Sequence, residues 1–134
     1  MVDLQKISIE KVKESRLSQV DFENIAFGKV FTDHMFMADY RNGEWGNLRI
    51  VQYGKISVSP ATPAIHYGSS IFEGMKAYTD DAGNALVFRP LDNWKRLNIS
   101  ANRMAMANIP EELFMEGLSA LIELDREWIP KTKG

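Results

Sequence analysis

The tetrapeptide Arg41-Asn42-Gly43-Glu44 separates two stretches suited to extended backbone, and it restricts the fold more than any other feature of the chain. Asn-Gly supplies the positive φ angles that a tight hairpin requires. Ahead of it, Val30 to Tyr40 is rich in β-branched, aromatic and Met side chains, so a strand is expected there. A returning strand is expected at Leu48 to Gln52, and Ile56 to Val58 reads as a third short extended piece. Together these predict an antiparallel meander.

Ser59-Pro60-Ala61-Thr62-Pro63 interrupts the pattern, since proline removes a donor and restrains the residue before it. The small, Gly-punctuated stretch His66 to Gly74 is expected to form one helical turn. Met75 to Tyr78 and Ala85 to Phe88 read as two strands joined by the Asp80-Asp81-Ala82-Gly83-Asn84 turn. The last third is helical. Pro90 stands where a helix can begin, and Leu91, Trp94, Leu97, Ala101 and Met104 recur at three- and four-residue steps. A second helix is expected after Ile109, with Glu111 and Glu112 favoured by the positive end of its dipole. Its predicted apolar face is Phe114, Leu118, Leu121, Ile122 and Trp128, and Pro130 stops it. Strands followed by helices predict one α+β domain, an antiparallel sheet with two C-terminal helices packed on it. The expected division is a partly ordered polar lead-in over residues 1–25 and the domain over residues 26–134.

The 134 residues are 45% hydrophobic and 25% charged, enough for a core without staples. No cysteine is present, which removes disulfides, thiolate metal sites and cysteine nucleophiles together and suits a reducing compartment. A net charge of -2, with basic residues scattered apart from the Lys131–Lys133 end, offers no general attraction for nucleic acid. No run of about 18 apolar residues is available to cross a bilayer, and the charged N-terminus does not suit a secretory signal. The expectation is a cytoplasmic protein without membrane or nucleic-acid partners.

Dinucleotide, P-loop, zincin and paired-Cys motifs are all missing. His34 and His66 lack zinc-site spacing, and no metal is expected. A lone His on a strand is usually structural, which is the expectation for His34. His66 lies in an unusual Gly-rich turn, where a structural and a functional role are both open. In His66 to Tyr78, Gly68 and Gly74 permit close backbone approach, and the rings of Tyr67 and Phe72 are suited to walling a pocket. Composition favours the plainer alternative, a packed turn with core aromatics. Arg96 neighbours the apolar stripe of its helix. A solvated surface charge is the usual case there; the alternative is a guanidinium fork holding a phosphate.

Several strings in this sequence resemble the branched-chain amino-acid aminotransferases. They are Phe27-Gly28-Lys29-Val30-Phe31-Thr32-Asp33-His34-Met35, His66-Tyr67-Gly68 with Ile71-Phe72-Glu73-Gly74-Met75-Lys76-Ala77, Phe88-Arg89-Pro90, Arg96-Leu97, and Leu121 to Pro130. They fall in the family's order and spacing from about Phe22 to Gly134. The resemblance implies the N-terminal small domain of the fold type IV pyridoxal-phosphate (PLP) architecture, also called D-amino-acid aminotransferase-like. It implies transfer of the amino group of leucine, isoleucine or valine to 2-oxoglutarate, with glutamate and branched 2-oxo acids as products, by a homodimer. It further implies that Arg96 holds the cofactor phosphate and that Phe27, Tyr67 and Phe72 line the substrate side-chain pocket. Gly74 and Lys76 would lie in the same wall.

Those assignments accord with physical chemistry. A dianionic phosphate suits a bidentate guanidinium, and aromatic walls bury a branched side chain at about 25 cal/mol per Å². A methylene difference is worth only about 1–3 kcal/mol, so all three amino acids are expected substrates. PLP chemistry needs a lysine that forms a Schiff base. The resemblance implies that this lysine lies in a C-terminal domain outside these residues, so no catalytic residue is expected here and the chain by itself is expected to be inactive. The final strands of the small domain are also expected outside the chain, leaving an edge open to a second copy. The alternatives are a D-amino-acid aminotransferase or aminodeoxychorismate lyase of the same architecture, or a non-catalytic self-associating module.

Overall fold

The computed structural model describes residues 7–131. The first six residues of the lead-in, and the Thr132 to Gly134 part of the basic end, lie outside the described residues. In chain order the elements are strand β1 (Ser8–Ile9), a 3-10 turn (Leu17–Gln19), β2 (His34–Arg41), β3 (Glu44–Gln52), helix α1 (Pro63–His66), β4 (Ala77–Thr79), β5 (Ala85–Val87), α2 (Pro90–Arg103), α3 (Glu111–Leu124) and a 3-10 turn (Arg126–Trp128).

The Asn42-Gly43 hairpin forms as its residue types require, with φ of 54° at Asn42 and 89° at Gly43. Pairing of β2 with β3 runs from His34 opposite Gln52 to Arg41 opposite Glu44, with an irregularity between Met37 and Asp39. The expected third strand differs. Ile56 to Val58 is irregular, and β3 is instead flanked on its other side by β1 from the lead-in, which runs parallel to it. The sheet order is β1-β3-β2, so the sheet is mixed rather than wholly antiparallel. The lead-in is therefore part of the sheet and not only an approach to it. The helical turn expected over His66 to Gly74 falls earlier, at α1, and β4 with β5 forms a separate two-stranded sheet.

The core follows from this order. Ile50 on the central strand pairs with Ile9 on one side and Phe36 on the other, and none of its surface is exposed. Directly opposite residues share a face of a sheet, so these three lie on one apolar face; α3 covers it at Phe36, while Ile9 at the edge stays about half exposed. Gly117 of α3 lies so close to the Phe36 ring that a Cβ there would overlap it. The buried positions of α3 are Leu113 and Gly117, whereas the predicted face of Phe114, Leu118, Leu121 and Ile122 is half-buried. Helix α2 packs on α3, and the connection between them is pinned back on α2 by Trp94 Nε1, which donates to the Ile109 carbonyl at 2.7 Å. The Asn98 side chain both donates to and accepts from the Ile109 backbone.

A buried polar clasp ties the two ends of the described chain together. His34 Nε2 accepts the Val12 backbone N–H at 3.0 Å, which leaves the ring proton on Nδ1, 2.6 Å from Asp125. Asp125 also accepts the His34 backbone N–H. Beside it, Asp33 accepts from Ser15, the Arg16 backbone and Trp128 Nε1. Burial pushes the Asp33 carboxyl up, but these donors and the Arg16 side chain outweigh that and hold it below its ordinary value. His34 is structural, as expected of a lone His on a strand.

Candidate functional site

Pro90 opens α2 from a strained start. Arg89 has φ 50° and ψ 50°, a left-handed conformation that a residue before proline seldom adopts. From this start α2 presents Asn93 and Arg96 one turn apart, on the same side of the helix. The irregular stretch between α1 and β4 passes in front of them and brings Glu73 into reach.

The contact is a fork on a fork. Arg96 donates from Nε to Glu73 Oε2 at 2.9 Å and from Nη2 to Oε1 at 2.6 Å. Oε1 also accepts the Gly74 backbone N–H at 2.9 Å and Asn93 Nδ2 at 3.2 Å. Asn93 is buried and donates as well to the Gly74 carbonyl at 2.9 Å. The two ends differ in environment, with the Arg96 side chain 63% exposed and that of Glu73 only 12%. Hydrogen bonding from Arg96, with help from Gly74 and Asn93, outweighs desolvation and lowers the Glu73 carboxyl to about 2. Glu73 in turn raises the Arg96 guanidinium. At neutral pH the pair is ionic, and Nη1 of Arg96 has no hydrogen-bond partner among the described residues.

Of the residues singled out in the sequence, the structure brings Arg96 and Gly74 together through Glu73. Lys76 follows two residues later, at the entry to β4, and is exposed. The three rings are open to solvent, Phe27 fully and Tyr67 and Phe72 nearly so, and none makes a ring–ring contact among the described residues. The alternative of a packed turn with core aromatics therefore does not describe Tyr67 or Phe72. An apolar hollow of about 260 Å3 does lie between the sheet and α3, lined by Phe36, Trp45, Met75, Leu113 and Phe114 among others. None of the three rings lines it. His66, at the end of α1, is exposed and contacts the Pro60 carbonyl.

Glu73 and Asn93 were given no role in the sequence. The signal for Asn93 was present, three residues before Arg96 on a helix. For Glu73 it was weaker, a carboxylate beside a glycine in a segment with no periodicity. Among the described residues no group of three or more metal-type side chains gathers, and no helix is long and apolar enough to cross a membrane.

Fold and site together define a small α+β segment carrying a buttressed surface arginine, and its relatives are amino-group transferases. No family model matches the chain. It is 46% identical to branched-chain-amino-acid transaminase 1 of Bacillus subtilis (strain 168), over 85% of this chain and 32% of that protein. It is 44% identical to a probable branched-chain-amino-acid aminotransferase of Staphylococcus aureus (strain MRSA252), over 97% of this chain and 36% of the relative. The branched-chain-amino-acid aminotransferase of Helicobacter pylori (strain J99 / ATCC 700824) is 38% identical over 87% of this chain and 34% of its own length. The chain thus spans about a third of the length of the curated relatives it matches.

Proposed function

We propose that this chain is the N-terminal part of a PLP-dependent branched-chain-amino-acid aminotransferase, with residues 26–134, joined in their sheet by β1 of the lead-in, forming most of the small domain of a fold type IV enzyme. The observation that carries this is the identity of 38–46% to proteins of that name over most of the chain. The whole protein would transfer the amino group of L-leucine, L-isoleucine or L-valine to 2-oxoglutarate, as a cytoplasmic homodimer.

The residues fit the cofactor's phosphate end. Two of Arg96's five N–H groups are engaged by Glu73, and the remaining edge of a mostly exposed guanidinium suits a dianion. PLP, when bound, supplies the electron sink that amino-group transfer requires. Arg96 would hold its phosphate. Phe27, Tyr67 and Phe72 would form an apolar wall for the substrate side chain, completed by polypeptide beyond this segment. Their near-complete exposure supports that role, since large rings gain by being covered. Gly74 would set the backbone of that wall through its contacts to Glu73 and Asn93, with Lys76 beside it. The reactive lysine would come from the second domain.

A substrate panel on the full-length protein tests the proposal. L-leucine, L-isoleucine and L-valine should all serve as amino donors to 2-oxoglutarate, within about a hundredfold of one another in kcat/KM. Activity with D-alanine and none with L-leucine would refute it.

A further inference from the structure

We infer that Glu73 is a positioning residue for a phosphate group: it clamps one edge of the Arg96 guanidinium and so aims the opposite edge at the cofactor. This rests on Arg96 being the phosphate-holding arginine, proposed above.

A surface arginine samples many rotamers and presents its donors in no fixed direction. Arg96 is different because its partner is fixed first. Both oxygens of Glu73 are engaged, and Oε1 accepts from Arg96, the Gly74 backbone and Asn93 together. Asn93 is itself held by the Gly74 carbonyl at 2.9 Å. The acid is therefore held from two sides, by the Gly74 N–H of its own segment and by the Asn93 side chain from the first turns of α2. An ion pair of purely solvating character has both ends in water, whereas here the acid is largely covered and the base projects. Because Nε and Nη2 face Glu73, the Nη1 edge is the one left to face an incoming anion. The direction of that edge is set by Glu73 and not by Arg96 alone.

Glu73 also brings a negative charge near the anion, so aiming and charge oppose one another. If charge dominated, removing the carboxylate would tighten phosphate binding; if aiming dominates, removal weakens it. The buttressing by Asn93 and Gly74 favours aiming, because a counter-charge alone needs no such support.

The test is a comparison of PLP with pyridoxal, which lacks the phosphate, in binding titrations of the full-length apoenzyme. The ratio of the two dissociation constants reports the phosphate contact and is insensitive to general damage, which weakens both ligands together. Glu73→Gln should reduce the preference for PLP about tenfold, the scale of one charge-assisted contact. Glu73→Asp should restore part of it, Arg96→Ala should reduce it further, and Lys95→Ala should leave it unchanged. An unchanged or increased preference in Glu73→Gln, with Arg96→Ala still impaired, would overturn the positioning role while leaving Arg96 in place. If Arg96→Ala kept the preference, the phosphate assignment would fail and this inference with it. Should Glu73→Gln fail to fold, Glu73→Asp decides, since moving the carboxylate back by one methylene must lower the preference if aiming matters.

Discussion

A Cβ on Gly117 would stand 2.5 Å from Cε1 of Phe36, with Cζ and Cδ1 of the same ring at 2.7 and 2.8 Å. Helix α3 can therefore lie on β2 only because position 117 has no side chain. Alanine is a better helix former than glycine by about 1 kcal/mol, but overpacking costs about 1–3 kcal/mol, and here a whole ring edge would have to move. Gly117→Ala should lower the thermal unfolding midpoint, and Phe36→Leu added to it should recover part of the loss. A rise in the midpoint for Gly117→Ala alone would show that α3 does not approach β2 so closely.

The His34 clasp makes a prediction about the lead-in. His34→Ala leaves the buried Asp125 carboxylate and the Val12 N–H without their partner. The expected cost is about 2–4 kcal/mol. Hydrogen exchange should accelerate selectively over Ser8 to Val12, because β1 is only two residues long and depends on this anchor. Uniform acceleration across the sheet would contradict a local clasp.

Asp33 gives a pH dependence with a definite sign. Its folded carboxyl lies below the ordinary value of 3.8, so its contribution is complete above that value and is lost as pH falls through the lower folded value. Urea midpoints should be flat at neutral pH and decline below about pH 4. In Asp33→Asn the midpoint should be lower at pH 7 and the acid decline shallower. An identical acid decline in the variant would remove Asp33 from this role.

The coupling of Glu73 to Arg96 is measurable without any ligand. Carboxyl titration by carbon NMR should find Glu73 near 2, and Arg96→Ala should return it toward 4.5, because the Arg96 hydrogen bond is the largest cause of the shift. Lys95→Ala should not move it. If Glu73 titrated normally in the unaltered protein, the pair would not exist in solution.

Ala105 closes α2 in a left-handed conformation, φ 52°, with the Met106 N–H on the Ala101 carbonyl at 2.9 Å. That position ordinarily belongs to glycine. Ala105→Gly should relieve strain that outweighs the added entropy of the unfolded chain, raising stability by about 0.5–1 kcal/mol in chemical denaturation. A loss would mean that the helix ends differently.

The parts of this protein that were legible in the sequence are those whose cause is local. Asn42-Gly43 made the hairpin because only residues tolerant of positive φ can turn so sharply, Pro90 marked the start of α2 because proline suits the first position of a helix, and Glu111 and Glu112 marked the start of α3 because acids suit the positive end of its dipole. The strings resembling branched-chain aminotransferases agree with the relatives found. Ile56 to Val58 misled, because a short β-branched stretch carries no information about whether an edge is free to receive it.

Tertiary structure decided what depends on distant neighbours. Ser8 and Ile9 became a strand only because β3 offered an open edge some forty residues later, and an alternation as short as Ile7-Ser8-Ile9 among charged neighbours does not by itself say what it will pair with. Gly117 became a contact surface through the ring of Phe36, and Arg96 ceased to be an ordinary surface charge through the carboxylate of Glu73. In each case the free energy belongs to a pair of groups that the fold brings together. Neither member announces it by itself.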